Sequence, residues 1–338
     1  MNLLFDLSKE HISLPALEIC TIFESYNINY SILHKTNDIL IVRIDQPSKI
    51  IPILTTRLAF TYVISEYYFS TQPNLKEINT LSTQYSCTEP GTIAIRYRNR
   101  SQKQNSKQII QTIAKAYTKN RTVDLQHPTI ELYVIITDDR IHVGRIFQNL
   151  DRSSYEKRKV QYRPFFSPIS LHPKLARGLC NLGYITKEST VLDPFCGTGG
   201  FLIEAGLIGC SLIGSDIQKD MINGTKENLS FYGITDAQLF QSDIGDILTT
   251  ITKPIDAVIT DAPYGKSTTT NKEKLDQLYK RTLPTLSQLL KPDGTIVIGL
   301  PKEHYKPIFT EYFQLKHIIT IPVHRSLTRY FYIGKKTP

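Results

Sequence analysis

Val191-Leu192-Asp193-Pro194-Phe195-Cys196-Gly197-Thr198-Gly199-Gly200-Phe201 is the stretch that decides how this chain folds. An apolar run ends on an acid, a glycine-rich turn follows, and apolar residues then resume at helical spacing. This is the strand, turn and helix of an open parallel sheet, whose ligands bind beyond the carboxyl ends of its strands. The turn excludes two familiar phosphate cradles, because it lacks Gly-Lys-Ser/Thr and does not meet the G-x-G-x-x-G spacing. An acid at the strand's end suits a cationic group better than a pyrophosphate, with Gly197 and Gly199 giving the ligand room.

The pattern continues downstream. Strands are expected at 190–193, 211–216, 238–242, 255–261 and 295–300, with helices from 199, at 218–232 and at 274–290. Lys291-Pro292-Asp293-Gly294 is read as the stop before the last of these strands. Residues 315–323 and 327–333 have no helix between them and predict an antiparallel hairpin. The class is therefore α/β, with a mostly parallel sheet. Four successive strands end in acids, Asp193, Asp216, Asp243 and Asp261. Asp216 is placed to accept from ribose hydroxyls and Asp243 from an adenine amine, so the set describes a nucleoside site. The last acid opens Asp261-Ala262-Pro263-Tyr264-Gly265. Alkylating an exocyclic amine requires acceptors that orient its N–H bonds and a surface that holds the base plane. The Asp261 carboxylate, the Ala262 carbonyl and the Tyr264 ring are suited to those tasks, and Pro263 keeps Ala262 extended.

Working back towards the N-terminus, residues 2–7, 14–25, 30–34, 39–44, 47–58 and 59–69 read as a βαββαβ order. A polar stretch at 72–88 is a connection or weak helix. A half-exposed strand at 92–98, a helix at 106–117 and strands at 130–137 and 141–148 follow. No acid lies between Glu89 and Asp124, while Arg96, Arg98, Arg100, Lys103, Lys107, Lys115, Lys119 and Arg121 do. Eight charges without a local partner suit nucleic acid held by its backbone. The 338-residue chain has a net charge of +9, and residues 1–165 carry 21 Lys and Arg against 15 Asp and Glu. A composition 41% hydrophobic and 21% charged excludes a wholly disordered chain. The apolar runs are too short to span a membrane, and residues 1–11 resemble no targeting peptide, so the cytoplasm is the expected compartment. Five cysteines without a Cys-x-x-Cys pair predict free thiols and no metal.

At these residues the chain resembles the S-adenosylmethionine-dependent methyltransferases of the Rossmann-like class. Residues 193–200 are similar to their cofactor motif, and Asp261-Ala262-Pro263-Tyr264 is similar to their Asp/Asn-Pro-Pro-Tyr amino-methylating motif. More narrowly, Arg163-Pro164-Phe165-Phe166-Ser167-Pro168-Ile169-Ser170-Leu171-His172-Pro173-Lys174-Leu175-Ala176-Arg177, followed by the cofactor motif, resembles the archaeal tRNA guanine-10 N2-methyltransferases. The resemblance implies a ferredoxin-like domain at 1–70, a THUMP-like tRNA-binding domain at 71–150, a linker at 151–165 and a seven-stranded, mostly parallel Rossmann-like methyltransferase domain at 166–338. It implies S-adenosylmethionine held by Asp193, Phe195, Gly197, Gly199, Asp216, Ile217, Asp243 and Ile244. The expected reaction is methyl transfer to the N2 of guanine 10 in tRNA, with one or two methyl groups added at Asp261, Ala262, Pro263 and Tyr264. The eight basic residues of 96–121 would then hold tRNA, with no obligatory protein partner. Two positions depart from the family pattern: Ala262 stands where proline is usual, and Ser167 where histidine is common. A DNA adenine N6-methyltransferase, a protein glutamine methyltransferase and a non-catalytic tRNA-binding protein are the alternatives.

Overall fold

The computed structural model describes residues 1–337 except 87–88, 120, 168–169, 265–272 and 325–326, so Cys87 and Gly265 lie outside the described residues. Contacts divide the chain into two compact units. The first is Met1–Ile12, Ile28–Thr55 and Thr61–Asp151; the second is Ser13–Asn27, Thr56–Phe60 and Arg152–Pro338.

In chain order the elements up to residue 149 are β1 (Asn2–Leu7), α1 (Leu14–Ser25), β2 (Tyr30–Lys35), β3 (Ile39–Ile44), α2 (Pro47–Arg57), β4 (Thr61–Thr71), α3 (Leu75–Gln84), β5 (Ile93–Asn99), α4 (Ser106–Tyr117), β6 (Ile130–Ile136) and β7 (Ile141–Asn149). The βαββαβ order is present. Its four strands and the three that follow make one seven-stranded sheet, ordered β2-β3-β1-β4-β7-β6-β5. All neighbours run antiparallel except β5 and β6. β4 pairs with β7 from Val63 to Thr71, so the expected boundary at residue 70 falls within a continuous sheet. Helix α1, although early in the sequence, groups with the second unit. The polar stretch after β4 does form a helix, because the Asn74 side chain caps it by accepting from the Lys76 and Glu77 N–H groups.

From residue 153 the elements are α5 (Ser153–Lys157), α6 (Pro173–Leu182), β8 (Thr190–Asp193), α7 (Gly200–Gly206), β9 (Ser211–Asp216), α8 (Lys219–Phe231), β10 (Gln238–Gln241), α9 (Ile247–Thr250), β11 (Ile255–Asp261), α10 (Leu275–Leu289), β12 (Leu290–Leu300), α11 (Lys306–Thr310), β13 (Phe313–His324) and β14 (Leu327–Lys336). The short α5 lies in the stretch read from sequence as a linker. The sheet order is β10-β9-β8-β11-β12-β14-β13. The first five strands are parallel, and β14 and β13 add antiparallel. Strand β12 begins five residues ahead of the expected start. Residues 291–294 bulge rather than terminate, with Ile255 opposite Leu290, Ala257 opposite Thr295, and Asp293 at φ 60°.

Val191, Leu192, Val258, Ile259, Val297 and Ile298 are all fully buried. Strands covered on both faces read as unbroken apolar runs, and each such side chain stabilises the sheet by about 1.5–3 kcal/mol. This rigid centre carries β8, β9 and β11, whose carboxyl ends bear three of the four predicted acids.

Candidate functional site

The turn after β8 takes its shape from two glycines. Gly197 has φ 52° and Gly199 φ 78°, a left-handed conformation that costs most side chains energy. A Cβ on Gly199 would also come within 3.0 Å of Thr225 Cγ2. The turn is held to the next strand by Asp216, whose Oδ2 accepts from the Gly197 N–H at 3.0 Å and whose Oδ1 accepts from the Gln218 N–H at 2.9 Å. Asp193 lies deeper, accepting from the Thr260 hydroxyl at 2.6 Å and the Phe195 N–H at 3.2 Å.

A cavity of about 400 Å³ opens over these strand ends. Asp193, Phe195, Gly197, Asp216, Ile217, Asp243, Ile244, Asp261 and Pro263 all line it. Four acids chosen from strand ends in the sequence therefore share one wall. Gly199, Ala262 and Tyr264 are not lining residues. Gly199 instead shapes the turn, and the Ala262 N–H donates to the Gly299 carbonyl at 3.2 Å. Tyr264 is the larger departure from expectation, because its hydroxyl donates to Asp261 Oδ1. The Arg329 guanidinium lies over its ring, 5.7 Å from the centroid.

Burial dominates the electrostatics. It pushes the Asp193 carboxyl up to about 7, with Asp216 and Asp261 adding to the effect and the Thr260 and Phe195 hydrogen bonds opposing it. Burial also raises Asp216 and Asp261, the latter against Arg329 and the Tyr264 hydroxyl. Asp243 moves the other way because Arg281 binds both of its oxygens, Nη2 to Oδ2 at 3.0 Å and Nη1 to Oδ1. Arg281 also meets Glu273 at 2.8 Å. Sequence reading missed Thr260, Arg281 and Arg329. A lone arginine in an apolar alternating strand, Thr328-Arg329-Tyr330-Phe331, was the available signal for the last, since such a residue needs an acid nearby.

The basic segment of the first unit differs from expectation at its strand. Arg96 Nε donates to Glu131 at 3.0 Å, and Arg98 Nε lies 3.2 Å from Asp6 Oδ2. Arg98 also stacks 3.8 Å from the centre of the Tyr62 ring. Arg100, with a side chain only 6% exposed, donates to Asp6, to Asp38 at 2.7 Å and to the Leu7 carbonyl at 2.6 Å. The expectation of uncompensated charge is thus corrected for all three, whose acids come from β1, β6 and the β2–β3 loop side of the sheet. Lys103 has a distant partner, Asp138, at 3.9 Å. Lys107, Lys115 and Lys119 are exposed, and no ion pair joins them among the described residues; Arg121 is half-buried.

A family model described as UPF0020, the RMKL-like methyltransferase domain, matches residues 160–330, and a THUMP domain model matches residues 76–144. A tRNA (guanine(10)-N2)-dimethyltransferase of Methanothermobacter thermautotrophicus is 34% identical over 335 residues, covering 97% of this chain and 98% of that protein. A U6 snRNA (guanine-N(2))-methyltransferase THUMPD2 of Bos taurus is 27% identical, over 54% of this chain and 34% of its own length. The solved structure of TrmN from Thermus thermophilus aligns over 100% of both chains with a TM-score of 0.56 at 16% identity, which shows the shared fold. Fold and site together define a Rossmann-like methyltransferase domain joined to a THUMP domain. The chain belongs to the archaeal-type tRNA (guanine-10, N2)-methyltransferase family.

Proposed function

We propose that this chain transfers one or two methyl groups from S-adenosylmethionine to the exocyclic N2 of guanine 10 in tRNA. The observation that carries the proposal is the placement of Asp261 on the wall of the same cavity as Asp193, Asp216 and Asp243, in a chain whose full-length relative is named for that reaction. The residues fit the cofactor. Asp193 is buried among further acids, without a cation beside it among its described partners, and is suited to a positively charged methionine moiety. Asp216 has lone pairs left for ribose hydroxyls, and Asp243, its plane fixed by Arg281, can accept from the adenine amine. Phe195, Ile217 and Ile244 supply apolar walls. Bound there, the cofactor supplies an electrophilic methyl group.

The protein's own part is orientation. Guanine N2 lies in the minor groove and is normally paired, so the base must be extruded before it can react. Asp261 accepts one amine N–H and takes up the proton that methylation makes acidic, while the Ala262 carbonyl accepts the other. Tyr264 offers the base the face not covered by Arg329. On the THUMP-containing unit, the exposed Lys107, Lys115 and Lys119 are the better candidates for phosphate contacts, followed by Lys103 and the half-buried Arg121. Arg96, Arg98 and Arg100 shape the strand behind them. The cytoplasmic setting rests on this tRNA reading; no described helix is long and apolar enough to cross a membrane.

The test is to incubate the protein with methyl-labelled cofactor and total tRNA, digest the RNA and identify the labelled nucleoside. N2-methylguanosine or its dimethyl form, mapped to position 10, is the expected product. Asp261→Ala should lower turnover at least about a hundredfold, the low end of general base contributions, while tRNA affinity stays near wild type. Retained turnover in that variant, or label on DNA or protein alone, overturns the reading.

A further inference from the structure

Three elements converge where β11 ends. Asp261 closes β11, Tyr264 follows on the same turn, and Gly299 comes from β12 beside them. Any Cβ at position 299 would collide with Asp261 Oδ1 and sit 2.8 Å from the Tyr264 hydroxyl, so glycine there is what lets the two side chains meet. The third element is β14, paired with β12 so that Gly299 faces Phe331 and Leu300 faces Tyr330. That register brings Arg329, 5% exposed, against the turn. Its Nε lies 3.2 Å from Asp261 Oδ2, an ion pair without the alignment of a hydrogen bond, and its guanidinium covers one face of Tyr264.

We propose that Arg329 is a positioning residue of the methyl-accepting site, holding the Asp261 carboxylate through its charge and the Tyr264 ring through its planar face. Both arms of the Asp-Ala-Pro-Tyr turn are then set by a strand that carries no part of the motif. The proposal deepens the reading of Asp261 as the amine's acceptor and rests on it. A carboxylate must be ionised to accept the amine N–H and then take up its proton. Asp261 is opposed in this by burial, which raises its pKa, and its charge in turn raises the neighbouring Asp193 of β8. Arg329 and the Tyr264 hydroxyl counter the burial, and Arg329 is the group that brings a full positive charge. A further titratable neighbour among the described residues is Tyr279 of α10, whose hydroxyl donates to the Pro263 carbonyl at 2.5 Å. Arginine is also better suited to the position than lysine, because a flat guanidinium can cover a ring and meet a carboxylate at once.

Arg329→Met and Arg329→Lys test the assignment through the pH profile of kcat with tRNA. Removing the cation raises the Asp261 pKa, so activity that needs the ionised form should lose its acid limb at a higher pH. The limb in Arg329→Met is expected to move up by about one pH unit or more, giving roughly tenfold loss on the acid limb, below both pKa values, and recovery towards high pH. Arg329→Lys should return most of that shift, and the KM for the cofactor should stay within about twofold in both variants. A loss equal at every pH, or no loss, overturns the proposal. A second readout needs no turnover: the titration of the Asp261 carboxyl carbon in aspartate-labelled protein, assigned with Asp261→Asn, should move up in Arg329→Met. Absence of any RNA methylation by the wild type would count against the proposed function, while an unmoved carboxyl titration would count against Arg329 itself.

Discussion

On β5 and just after it each arginine is met by a carboxylate from another strand or loop, whereas at the ends of β8, β9 and β11 carboxylates gather near one another and, among the described residues, only Asp261 of those three meets a guanidinium. Both regions looked like single-sign clusters in the sequence. One is neutralised inside its unit; the other keeps an excess of negative character around a cavity. A paired cluster supports a fold, because its charges have already exchanged water for each other. An unpaired buried cluster is held at a cost and awaits a cation, which is the mark of a binding site. The lesson is that charge counted along the chain locates a cluster, and only its partners across the sheet say whether it is available.

The sharpest way to break this comparison is at Arg100. It reaches Asp6, a fully buried acid whose other oxygen accepts from the Tyr133 hydroxyl at 2.6 Å. Arg100→Met leaves that carboxylate only Arg98 and the Tyr133 hydroxyl, and should destabilise the first unit by up to about 3–5 kcal/mol, the range for halving a buried ion pair. Denaturant unfolding would measure it. The salt dependence of tRNA binding, measured where the variant is still folded, should hardly change. A full loss of one phosphate contact with unaltered stability would return Arg100 to the role assigned from sequence.

Much of the fold was legible because it is local. Period-two and period-3.6 patterns marked the strands and helices, and the acids at 193, 216, 243 and 261 were readable because a parallel sheet places all its carboxyl ends on one edge. What escaped is non-local. Asp6 sits in Leu3-Leu4-Phe5-Asp6-Leu7, and an acid in a buried strand demands a cation, but nothing in the sequence names Arg98 and Arg100 as the source. The Tyr264 side chain was expected to offer an open aromatic face. Its hydroxyl on Asp261 and the arginine over its ring depend on the β12–β14 register, which no local period encodes. The continuity of the first sheet across residue 70 was hidden for the same reason, since β4 and β7 meet only in space.

The opposite side of the comparison is tested by titrating the pocket. In the free protein Asp193 is held near 7, so below that pH it is largely protonated, and a cationic ligand favours its ionised form. Cofactor affinity should therefore rise with pH through about 7 and fall by up to tenfold per unit below it, with proton release on binding near pH 6. Calorimetry in buffers of different ionisation enthalpy reads both quantities. Asp193→Asn should weaken binding and flatten the dependence. A pH-independent affinity in the wild type would mean that the acid cluster is not where the ligand's charge rests.

The smallest effects belong to the exposed lysines. Lys107 and Lys115 lie about two turns apart on α4, and Lys119 follows its end, so they can meet separate phosphates while their stems remain in solvent. Each converted to alanine should lower tRNA affinity only a few-fold at moderate salt, and should reduce the slope of log K against log salt by about 0.7–0.9. Stability should remain within about 0.5 kcal/mol, the usual reach of a surface substitution. That split inverts the one expected for Arg100: binding moves without stability at the lysines, and stability moves without binding at the arginine. If the lysine variants leave the slope intact, α4 and its end are not the tRNA surface. The recognition must then come from Lys103, Arg121 or cations outside residues 96–121, since Arg96, Arg98 and Arg100 are already committed to their acids.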